Sequence, residues 1–155
     1  MIRTFPWLPM SLPRLARPQV PASVHYLSPL SSENDMLHSI KQGITLDELE
    51  LAGTLEDIGV EMLDGDNAMF ALTTFATEDE SVSAGYFGVR RSRFRLPYTF
   101  HEQAVVTLGE VKITDEATGE TAHYKAGDAF FVASGTNTLW EVVSDSFTKH
   151  YLAVD

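Results

Sequence analysis

A chain of 155 residues, 44% hydrophobic and 21% charged, is sized and composed for one soluble globular domain with a sizeable core. Its formal net charge of -11 repels polyanions, which argues against nucleic acid and anionic membrane as partners. It has no cysteine, which excludes disulfides and thiolate metal sites and fits a reducing, cytoplasmic compartment. No apolar run approaches the roughly 20 residues that a membrane-spanning helix needs.

Residues 1–30 differ in composition from the rest. They hold Pro6, Pro9, Pro13, Pro18, Pro21 and Pro29, together with Arg3, Arg14 and Arg17, and no acid. Proline at this density forbids a continuous helix or an interior strand, since it fixes φ and removes the backbone donor. A basic, acid-free start has the composition of a targeting peptide, but Pro6 and Pro9 interrupt its apolar stretch. The stretch is expected to be an extended arm lying on the domain or on a partner subunit. A single domain is expected over residues 31–155.

From Ser31 the pattern turns helical. Ser31 or Ser32 can cap a short helix over Glu33 to Gln42, with acids in its first turn and Gly43 as its stop. Thr45 and Glu48 have the spacing of a capping box, although Ile44, Leu46, Leu49 and Leu51 also fit a strand. After Gly53 the apolar period falls to two. Ile58, Val60 and Met62 alternate with small or acidic residues, Asp64 to Asn67 reads as a turn, and Met69 to Ala76 reads as a strand. Ser83 to Pro97 reads as one long strand bent near Gly85 and Gly88, with Arg91, Arg93 and Arg95 on one face. Further strands are expected over Glu102 to Leu108, Val111 to Thr114, Thr121 to Tyr124, Ala129 to Val132, Thr138 to Val143 and Phe147 to Val154. Short strands at this spacing, without intervening helices, predict an all-β sandwich or barrel.

Glu102-x6-Gly109, the Asp115 to Gly119 hairpin, Gly127-Asp128-x6-Gly135, Trp140-Glu141-Val142 and Lys149 with Tyr151 form a longer pattern. By these residues the stretch from Gly85 to Val154 resembles the cupin superfamily, and within it small single-domain cupins of the ethanolamine-utilisation (EutQ) and ureidoglycine aminohydrolase kind. The resemblance implies a jelly-roll barrel with a ligand site in its mouth, commonly a homodimer. Metal-binding cupins place two histidines before the glutamate and a third after the second motif. Here those places fall at Arg95 and Pro97, or Leu96 and Tyr98, and at Thr138, so Glu102 alone survives as a ligand. One carboxylate does not hold a transition metal, and no cofactor is predicted. An atypical divalent site would have to recruit His101 beside Glu102. Neighbouring side chains on a regular strand point to opposite faces, so this requires a bulge.

The expected lumen therefore holds Tyr86, Arg93, Arg95, Tyr98, Glu102, Thr138 and Trp140. Arginine grips carboxylate or phosphate with two parallel hydrogen bonds, and tryptophan offers a flat apolar face. The expected ligand is a small polar or anionic metabolite, with Arg93, Arg95, Thr138, Trp140 and Tyr86 binding it. Glu102, Tyr98 and His101 would serve as acid and base if the protein is an isomerase, lyase or hydrolase. A ligand-binding module without chemistry, and a structural or assembly protein with a packed lumen, are the two competing expectations.

Overall fold

A computed structural model describes residues 37–155. The arm over residues 1–30 and the cap of the expected first helix lie outside the described residues. Of that helix, residues 37–42 are described, and they are not helical: 37–41 have no regular structure and Gln42 enters a turn. Leu37 and Ile40 are exposed, so this stretch buries no apolar stripe of the kind that stabilises a helix by packing. The Thr45–Glu48 reading holds: a single 3₁₀ turn spans Leu46–Glu48, with the Glu48 carboxylate accepting from the Thr45 backbone N–H at 2.8 Å.

Eleven strands follow: β1 (Glu50–Thr54), β2 (Glu61–Gly65), β3 (Ala68–Ala76), β4 (Val82–Arg90), β5 (Ser92–Pro97), β6 (His101–Leu108), β7 (Glu110–Asp115), β8 (Thr121–Lys125), β9 (Ala129–Val132), β10 (Asn137–Val142) and β11 (Ser146–Val154). They form a six-stranded sheet in the order β1-β3-β4-β11-β6-β9 and a five-stranded sheet in the order β2-β5-β10-β7-β8, with every pairing antiparallel. This is the all-β architecture that the strand spacing predicts, in the jelly-roll form that the resemblance implies.

One expected strand is two. Ser83 to Pro97 breaks at Arg91, between β4 in one sheet and β5 in the other, and the glycines do not bend it. Gly85 and Gly88 serve close approach instead. A Cβ on Gly85 would meet the Leu72 carbonyl oxygen at 2.5 Å, and one on Gly88 would meet Leu46 and Leu49 side chains at 2.5 and 3.0 Å. The switch between sheets is fixed by Gly65 of β2, whose φ of +88° and backbone contact with Arg91 admit no side chain.

The core fills the space between the sheets. Trp140 is its centre, fully buried, stacked on Phe94 at 5.7 Å and meeting Phe130 and Phe147 edge-on at 6.0 and 5.8 Å. Strand alternation supplies it: Phe94 and Leu96 from β5, Ala104 and Val106 from β6, Phe147, Tyr151 and Ala153 from β11. A smaller cluster lies outside the six-stranded sheet, where Ile44 and Leu49 pack over Tyr86. Among the described residues no helix is long and apolar enough to cross a membrane.

Candidate functional site

The interior phase of β6 is Glu102, Ala104, Val106, and that of β11 is Phe147, Lys149, Tyr151, Ala153. Each strand thus carries one charged residue among apolar ones, and adjacency of β6 and β11 brings the two together. Glu102 and Lys149 are each only 3% exposed, and the ammonium donates to Glu102 Oε1. The same oxygen accepts from the Tyr98 hydroxyl at 3.1 Å. Tyr98 follows β5 directly and is held by its own backbone, which accepts from Gly135 N–H at 2.7 Å and donates to the Thr136 carbonyl at 2.9 Å.

Aromatic faces enclose the ammonium: Nζ lies 4.9 Å from the Trp140 ring, 5.2 Å from Phe87 and 5.8 Å from Phe130. A cation over several rings recovers part of the solvation it loses on burial, and the Glu102 carboxylate supplies the rest. Burial still holds the Lys149 pKa below its ordinary value, with the Glu102 charge opposing the shift. The Tyr98 hydroxyl is pushed well above its ordinary range, first by burial and then by the Glu102 charge, so it stays a proton donor. Trp140 donates its indole N–H to Thr138 Oγ1 at 3.1 Å, and Thr138 in turn donates to the Leu96 carbonyl at 2.8 Å.

Of the expected lumen residues, the fold brings Tyr98, Glu102, Thr138 and Trp140 inside and leaves the others out. Arg93 and Arg95 sit on the solvent face of β5, because Ser92, Phe94 and Leu96 occupy its interior phase. There Arg93 faces Glu141 at 3.4 Å, and Arg95 bridges Glu116 at 2.8 Å and Glu61 at 3.3 Å. These arginines clamp no anion in the lumen. Tyr86 is buried on the outer face of the six-stranded sheet, where its hydroxyl accepts from the Lys41 N–H at 2.7 Å. His101 points outward where β6 is regular, stacked on Phe131 at 6.3 Å and accepting from Ser134 N–H at 3.1 Å, so it does not join Glu102.

The missing partner in the sequence reading is Lys149. The signal for it was present: a lysine in step with Phe147, Tyr151 and Ala153 faces the interior, where a lone charge demands a counter-charge.

The donor set does not fit a divalent metal. Both groups touching Glu102 are hydrogen-bond donors, one of them a cation, and the Thr138 hydroxyl is committed to Leu96 and Trp140. Among the described residues no three His, Asp or Glu side chains cluster as ligands. An ion at Glu102 would lie against an ammonium.

Beside this centre a groove of about 280 Å³ opens between the edge strands β8 and β9, lined in part by Asp115, Glu120, Tyr124, Phe130, Thr136 and Thr138. Phe130 and Thr138 belong both to the groove wall and to the shell around Lys149 and Trp140.

Residues 76–151 match the family described as the EutQ-like cupin domain. Among solved structures, the chain is similar to an ethanolamine utilization protein Q from Salmonella typhimurium, at 25% identity and TM-score 0.50, over 57% of this chain and 70% of that one. It is also similar to the EutQ protein of Clostridium difficile, at 18% identity and TM-score 0.49, over 66% and 80% of the two chains. A DUF861-family protein from Pseudomonas syringae pv. tomato shares the fold, at 20% identity and TM-score 0.59, over 68% of this chain and 44% of that one. No curated protein matches the chain in sequence. The family match and the jelly-roll topology agree, and residues 76–151 of the chain form a cupin domain of the EutQ-like kind.

Proposed function

We propose that this cupin binds a small polar metabolite, neutral or cationic, in the groove between β8 and β9. The observation that carries the reading is the sharing of Phe130 and Thr138 between that groove and the buried Glu102–Lys149–Tyr98 cluster. The cluster makes the groove wall rigid, since Lys149 and Tyr98 both donate to Glu102 Oε1 and moving one of the three leaves another unpaired in a dry interior. At about 280 Å³ the groove lies just below the roughly 300–1,000 Å³ of drug-sized sites, which suits a small metabolite. Its aromatic walls, Tyr124 and Phe130, offer flat faces, and Thr136 and Thr138 add polar groups. Asp115 and Glu120 repel anions from it, and Arg93 and Arg95 lie on another surface, so an anionic ligand is disfavoured.

Glu102 is sealed from water and already engaged by two donors. Binding without turnover is therefore favoured over acid–base catalysis, which needs a group within reach of substrate.

The test is a thermal-shift screen of monosaccharides, polyols, short primary amines, carboxylates and phosphates, repeated on Ala122→Trp, which fills the groove. A ligand in excess over its Kd stabilises by mass action, so a polyol, sugar or amine is expected to raise the Tm by several degrees and to lose this effect in the variant. Stabilisation by carboxylates or phosphates alone, or a response that survives the filled groove, sinks the reading.

A further inference from the structure

We propose that residues 1–30 of this chain dock across the uncovered half of the outer face of its own six-stranded sheet.

Register places the outward side chains of that sheet in rows running across the strands. One row, Phe70–Gly88–Thr148, lies beneath the stretch 44–49: Thr148 Oγ1 donates to the Ile44 carbonyl at 2.9 Å, and Leu46 and Leu49 press on Gly88. The next row is Leu72–Tyr86–His150–Val105. Lys41 donates its backbone N–H to Tyr86, and the charge of His38 acts on His150. The third row is Phe75–Ala84–Leu152–Gln103–Phe131, and nothing among the described residues covers it. Phe75, Leu152 and Phe131 are 42%, 45% and 64% exposed. Val154 and His101 extend this patch at its edge.

Followed backwards from Leu49 to His38, the chain thus climbs the face from the first row to the second. The described chain begins beside the second row, next to the uncovered third. Rows lie about 7 Å apart and five strands span about 19 Å, so six to eight extended residues cross the patch. The thirty residues available exceed this several-fold.

Their chemistry also suits the surface. Phe5, Trp7 and Leu8 supply apolar contacts, and their prolines favour the extended backbone that lies flat on a sheet face and loses little entropy in doing so. Arg3, Arg14 and Arg17 are the only charges before residue 31. All 22 acids and eight of the eleven bases follow, so the rest of the chain carries -14 and attracts the arm.

The absence of native cysteine makes the test direct. Single cysteines are placed in the full chain by Leu152→Cys, by Phe131→Cys, and by Thr118→Cys as an exposed reference in the β7–β8 turn, and thiol labelling rates are compared. The expected result is labelling at both face positions roughly tenfold slower than at the reference, as a docked-to-free ratio of about ten gives. This ratio should hold over a hundredfold dilution, and joint replacement of Phe5, Trp7 and Leu8 by Ser in the full chain should remove the protection. Equal rates from the outset overturn the proposal. So does protection that survives the Ser replacements, or that disappears on dilution, which would identify a second copy as the occupant.

Discussion

Glu102 and Lys149 hold each other in place, and neither is tolerable alone. Removing one partner of a buried pair leaves an uncompensated charge, typically at 3–5 kcal/mol, whereas replacing both with apolar groups of similar shape is often near neutral. Lys149→Met is therefore expected to lower unfolding free energy by about 3–5 kcal/mol, and adding Glu102→Leu to recover about half or more of it. Urea unfolding of the two single variants and the double variant checks this. Additive losses would mean the two residues do not act as a pair. His150 makes a second prediction at this scale. Burial on the outer face, with His38 nearby, lowers its pKa from 6.5 to about 4. The unfolded chain thus takes up a proton near 6.5 that the folded chain refuses until about 4, and stability drains away as pH falls through that window. The ring is partly open to solvent, so the loss between pH 7 and pH 5 is expected to be about 1 kcal/mol, smaller than the full shift implies. His150→Gln should flatten that part of the pH profile, and an unchanged slope would assign it to other groups.

The strands show what period-two alternation conveys and what it omits. β6 through β11 appear in the sequence to within about two residues, most clearly β7 to β10, where open and more buried positions alternate. β1 (Glu50–Thr54) shows in the sequence only as the alternative strand reading through Leu49 and Leu51: it is an edge strand with no buried residue and a bulge between Leu51 and Gly53, so its pattern carries no alternation. Arg93 and Arg95 alternate cleanly too, but alternation alone does not say which phase is interior. Phe94 and Leu96 decide it by hydrophobicity, and the lumen assignment of the arginines ran against that argument. Glu102 was legible from its motif and the interior phase of Lys149 from its strand, but their pairing joins residues forty-seven positions apart and depends on β6 lying beside β11. The turns carry the remaining information. Gly109 joins β6 to β7 at φ +79°, and a Cβ there would stand 2.1 Å from the Ser146 carbonyl oxygen. Gly109→Ala is expected to cost more than about 2 kcal/mol, combining left-handed strain with displacement of the β10–β11 turn. The check is chemical denaturation beside Gly119→Ala, whose site is open and costs the strain alone.

At the scale of the molecule, the charge distribution decides how salt acts. The ion pairs on the surface, such as Arg90–Asp66 and Arg91–Asp145, are exposed and worth little each. The net charge of -11 meanwhile opposes compaction everywhere. Raising sodium chloride from about 20 to about 200 mM, which shortens the screening length to under about 10 Å, is therefore expected to raise the Tm. A fall would mean that the exposed pairs contribute more than their geometry suggests. The order of the six-stranded sheet has a consequence of another kind. β11, the final strand in sequence, lies between β4 and β6 and carries the lysine that neutralises Glu102. Until the ribosome has delivered residues 146–154, the nascent polypeptide presents two raw strand edges and an unanswered carboxylate, so its exposure to chaperones and to self-association lasts until that stretch emerges.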